Sequence, residues 1–122
     1  MPVFSRVRDG VLVLTVDGDY TANELRRVGF KAFEAADTPQ RVPVLLDLSG
    51  AAGLMNKSPA ELAATGALFG AYRDRLTGIA VVAAADVATL FDAASDFARE
   101  AGIRVQAWQS HADARAWLAE AS

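Results

Sequence analysis

The chain has 122 residues, 52% of them apolar, with fifteen acidic side chains against twelve basic ones and a formal charge of −3 at neutral pH. That length buries a core as one domain over 1–122, and the mildly acidic balance excludes the broad basic face that nucleic-acid binding requires. Cysteine is missing altogether, which excludes disulfides, thiolate catalysis and Cys-based metal sites.

The opening "PVFSRVRDGVLVLTVDG" predicts antiparallel strands over 3–7 and 11–16, because Asp9-Gly10 suits the positive φ of a tight hairpin turn. Next, "TANE" places Thr21 as the N-cap of a helix with Glu24 three residues on, a capping box, and Leu25, Val28, Gly29, Ala32 and Ala36 follow at helical spacing. This helix is expected to end near Ala36, ahead of Thr38-Pro39. "PVLLDLS" and "IAVVAA" are short continuous apolar runs, as in strands covered on both faces. Between them Ser58 opens a helix with Leu62, Phe69, Tyr72 and Leu76 on its apolar side. Asp86 caps another, with the stripe Leu90, Phe91, Ala94, Phe97, Ala98 and Ala101, and Gly102 stops it. "IRVQAW" alternates Ile103, Val105 and Ala107 inward with Arg104, Gln106 and Trp108 outward. A last helix starts from Ser110 and buries Ala114, Trp117 and Leu118. The fold class is α/β in the order ββαβαβαβα: a hairpin, then repeated β-α units, giving a mostly parallel five-stranded sheet with four helices.

Most catalytic chemistry lacks its parts. His111 is the sole histidine and reads as a solvated surface residue, so a His-based metal cage cannot be built. No nucleophile elbow, Walker-type loop or dinucleotide fingerprint occurs. Asp17, Asp19, Asp47 and Asp86 all fall near carboxyl ends of strands, where α/β sheets gather their sites, and could converge on Mg²⁺. Turn and cap roles account for them more simply, and the lysine of a receiver-type phosphoaspartate site is missing from "WQSHADA". No catalytic residue, metal or cofactor is expected. No apolar window approaches the roughly 18 residues of a membrane span, which points to a cytoplasmic protein.

"GDYTANEL", "VLLDLSG", "SPAEL", "GIAVVAA" and the terminal "HADARAWL" together resemble STAS domains, the fold of bacterial anti-sigma factor antagonists and of the cytoplasmic tail of sulphate transporters. The chain looks closest to the stand-alone bacterial branch related to CRAL-TRIO lipid-transfer domains. The resemblance implies a sheet with strands added in chain order. It also implies a binding or regulatory role.

In antagonists a "DSSG" motif opens the helix after the "DLS" strand, and its first serine is phosphorylated by a kinase-like partner. This chain has "KSPA" there, so the resemblance puts Ser58 at the phosphoacceptor. Ser58 at N-cap, Pro59 at N1 and Glu61 at N3 also make a complete helix start, and both roles stay open. Leu54 and Met55 stand on a Gly/Ala loop, and Gly66 and Gly70 weaken the helix that follows. The glycines either permit close packing or leave the helix free to shift. Leu68 and Phe30 lie off their helical stripes and add apolar surface.

A non-catalytic binding module is the expectation. An apolar cleft beside this helix, lined by Leu54, Met55, Leu62, Leu68, Phe69 and Tyr72, would accept a small nonpolar or lipid-like ligand or a membrane surface. The alternative is an antagonist-like regulator with Ser58 as its switch. One sheet face needs a cover, and a homodimer through the hairpin and Phe4 would supply it.

Overall fold

The computed structural model describes residues 3–51, 69–83 and 102–120. The predicted helix starts at Ser58 and Asp86, and most of both helices, lie outside these residues. Strand β1 (Val3–Arg8) turns at Asp9-Gly10 into β2 (Val11–Gly18). Asp9 (φ 53°) and Gly10 (φ 78°) both take positive φ, the backbone of the expected tight turn. Strand β3 (Val42–Ala51), β4 (Leu76–Val82) and β5 (Val105–Trp108) join them in one sheet ordered β1-β2-β3-β4-β5. Only the hairpin is antiparallel; the other three pairings are parallel.

Helix α1 (Ala22–Glu34) opens on the capping box: Thr21 Oγ1 accepts from the Glu24 N–H at 3.2 Å and donates to Glu24 Oε1 at 3.3 Å. It ends two residues before the expected Ala36. Thr38 Oγ1 donates to the Ala32 carbonyl at 2.5 Å, and the Arg75 guanidinium donates to the carbonyls of Phe33, Pro39 (3.1 Å) and Gln40 (3.1 Å). The bonds to Ala32 and Phe33 serve carbonyls at the helix end, and those to Pro39 and Gln40 hold the loop that follows.

Arg75 also explains a second difference. Residues 69–71 are helical, but Arg73–Arg75 form a 3₁₀ turn and Leu76 begins β4, so Tyr72 and Leu76 do not continue a helical stripe. The tight turn brings Arg75 over the Phe33 ring, 5.7 Å from its centroid.

The sheet separates two cores. One face carries Leu12, Leu14, Val16, Val44, Leu46, Ile79 and Val81, packed on Leu25, Val28, Ala32 and Phe33 of α1. The opposite face carries Val13, Leu45, Ala80 and Val82, packed on Ala114 and Leu118 of α2 (His111–Glu120). The last helix therefore supplies much of the cover for which a second copy was expected. It leaves the hairpin end of its face open, where Phe4 is 54% exposed.

Trp108 departs from the expected outward placement. Val82 pairs with Trp108 in register, so its side chain lies on the α2 face, half-buried, with its ring centroid 6.2 Å from that of Trp117. Arg104 stacks on Trp117 at 4.6 Å. The two indoles thus form one cluster, not one core and one surface aromatic. No described helix is long and apolar enough to cross a membrane.

Candidate functional site

Paired residues on the α2 face form a row across all five strands: Phe4, Thr15, Asp47, Val82 and Trp108. Asp47 is its centre and stands toward the carboxyl end of β3, where parallel sheets present ligand-binding groups. Its Oδ1 accepts from the Ser49 N–H at 2.9 Å and from the Ser49 hydroxyl at 2.6 Å. Its Oδ2 lies 2.8 Å from His111 Nε2. Ser110 positions that ring, since its hydroxyl accepts from the Asp113 N–H at 3.4 Å and so places His111 in the first turn of α2.

The Asp47 side chain is 13% exposed and the His111 side chain 48%. Burial by itself would raise the Asp47 carboxyl; the Ser49 hydroxyl, the Ser49 N–H and His111 outweigh it and hold the group below 3.8. Serine, aspartate and histidine meet here without making a nucleophile–base relay. The Ser49 hydroxyl donates its hydrogen bond to the carboxylate, whereas a relay needs the serine bonded to the imidazole.

A cleft of about 540 Å³ opens beside this bridge, lined by Arg6, Arg8, Asp9, Val13, Thr15, Asp47, His111 and Arg115. Arg6 and Arg8 share a face of β1 by strand alternation, and Arg115 follows His111 by one helical turn. The sequence reading missed this cleft. Its local signals were the alternation Phe4-Arg6-Arg8 and the spacing His111-Arg115; their convergence with Asp47 depends on α2 returning across the sheet.

A second surface lies on the other side. Phe30 is 37% exposed, its ring centroid 5.6 Å from that of Tyr72, and Tyr72 stacks on Phe33 at 4.3 Å and 13°. Tyr72 Oη donates to Glu34 Oε1 at 3.5 Å. Burial first, then the Glu34 charge and hydrogen bond, raise the phenol above its ordinary 10.0, and Arg75 opposes them. Phe69, expected to line a cleft, is buried in the α1-side core, and Tyr72 packs against that core. Leu54, Met55, Ser58, Leu62 and Leu68 lie outside the described residues. Of the acidic residues, Asp17 and Asp19 are exposed, Asp47 bonds Ser49 and His111, and Asp86 lies outside. No group of three or more metal-ligating side chains occurs among the described residues.

A hairpin-led sheet with strands in chain order, helices on both faces and a hydrogen-bonded carboxylate at its centre defines a small α/β domain of the STAS type. The chain belongs to the SpoIIAA-like family, whose family model matches residues 11–119. It is similar in fold to a crystal structure of an uncharacterized protein of the DUF3478 family, with a SpoIIAA-like fold, from Shewanella loihica PV-4. The TM-score is 0.65 at 15% identity, covering 95% of this chain and 91% of that one. No curated protein matches.

Proposed function

We propose that this chain is a non-catalytic, cytoplasmic binding module. It takes up a small nonpolar or lipid-like ligand, or docks on a membrane surface, through an apolar cleft beside the helix that the sequence opens at Ser58. The observation that supports this most directly is Phe30: a large ring left exposed on an otherwise amphipathic helix, beside Tyr72, which itself stacks on Phe33. Leu54, Met55, Leu62 and Leu68 would extend that surface. The test is mass spectrometry of an organic-solvent extract of the purified chain. A copurified lipid that is lost in Phe30→Ser supports the proposal; an empty extract, with no uptake of a hydrophobic dye, overturns it.

Membership of the SpoIIAA-like family supports a second reading, a protein-interaction regulator with Ser58 as the phosphorylation switch of a kinase-like partner. Lys57, Ser58 and the following helix would form the contact. Capture of such a partner by the native chain and its loss in Ser58→Asp would favour this reading over ligand uptake. Self-association through Phe4 and the hairpin accompanies either one.

A further inference from the structure

We propose that the cleft between the opening hairpin and the start of α2 is a binding site for a phosphate monoester. The chain as a whole is negative, yet three of the eight lining residues are arginines, Arg6, Arg8 and Arg115. Asp47 is engaged within the molecule, bonded to Ser49 and His111, and the three guanidinium groups outnumber the two lining carboxylates, Asp9 and Asp47. Asp9, at the hairpin turn, lines the same cleft beside Arg8. Among the described residues, no hydrogen bond or ion pair is formed by the guanidinium of Arg6, Arg8 or Arg115.

Three guanidinium groups thus enter one cleft from two separately anchored elements, over a floor of Val13 and Thr15. Guanidinium presents paired N–H donors that match phosphate oxygens, and several of them around one site suit a dianion better than a monoanionic carboxylate. The Thr15 hydroxyl supplies one more donor. The volume suits a small organic phosphate or one headgroup. A competing explanation is that Arg6 and Arg8 merely protect the exposed edge strand from pairing with other chains. That role needs neither Arg115 on α2 nor a cleft, and it predicts no saturable binding.

The full chain is titrated at constant ionic strength with phenyl phosphate, followed by the NMR signals of the arginine side chains. In parallel it is sedimented with vesicles of about four parts phosphatidylcholine to one part phosphatidic acid, and with vesicles in which phosphatidylglycerol, a diester, replaces the phosphatidic acid. Saturable binding of phenyl phosphate identifies a soluble ligand; binding only to the phosphatidic acid vesicles identifies a headgroup; either supports the site. Arg6→Gln and Arg115→Gln should each weaken binding about tenfold, the scale of one charge-assisted contact. Arg6 is exposed and Arg115 half-buried, and an unchanged melting temperature without ligand verifies folding of each variant. Arg41→Gln removes the same charge elsewhere and should leave binding unchanged. No binding to either monoester probe overturns the site. So does equal binding of the phosphatidylglycerol vesicles, or a loss with Arg41→Gln equal to that with Arg6→Gln.

Discussion

Asp47 uses both carboxylate oxygens within the molecule, joining the end of β3 to the first turn of α2, and this sets the sign of a pH dependence. Its carboxyl titrates lower in the folded chain than the ordinary 3.8. A depressed folded value means that the unfolded chain takes up the proton first. The stabilisation is therefore complete well above 3.8 and lost as pH falls through the folded value. The stability advantage of wild type over Asp47→Asn, measured by urea unfolding, should shrink steadily as pH falls below about 4. A difference that grows toward low pH would contradict the bridge. The sequence identified Asp47 as a strand-end acid and His111 as a surface residue. Joining them was out of reach, because 64 residues separate the pair and only the return of α2 brings them together.

At the scale of the element, local chemistry was legible wherever partners lie within a few residues. The Asp9-Gly10 turn and the Thr21-Glu24 box are of this kind, and the structure has both. The stop of α1 was misplaced because its Phe33 carbonyl is satisfied by Arg75, 42 residues further along. The alternation of β5 was read correctly, but the outer row was taken as wet because α2 could not yet be assigned to that face. Gly70 decides part of the question about its helix. An added Cβ there meets nothing within 4 Å, so close packing is not the reason for this glycine. Gly70→Ala should raise stability by about 0.5–1 kcal/mol, measured by denaturant unfolding. For the predicted Ser58 helix start, Ser58→Ala should lose about 1 kcal/mol while Ser58→Asp stays near wild type, since aspartate caps as well and suits the positive helix end. Phosphopeptides covering Ser58 in native protein would show that the residue does more than cap.

Across the whole molecule, the family resemblance made the strand order legible, and the sheet has it. The cover on the second face was not legible, because α2 has few large apolar residues and reads weakly as a core helix. With α2 in place, the hairpin end of that face, where Phe4 is exposed, is the part offered to a second copy among the described residues. Sedimentation velocity at micromolar concentration is expected to give twice the 12.9 kDa chain mass for wild type and the chain mass for Phe4→Ser. A monomer in both would remove Phe4 from any interface. The order of the sheet also bears on how the chain is made. Every strand pairs with the one synthesised just before it, so the hairpin can form while the rest is still on the ribosome, and each later strand adds to an edge already present. The α1 core begins to close early, since α1 follows the hairpin directly. On the opposite side, Val13, Leu45, Ala80 and Val82 gain Ala114 and Leu118 only after all five strands have been made. A nascent chain stalled before His111 would thus carry a half-dressed sheet, and that is the form a chaperone would meet.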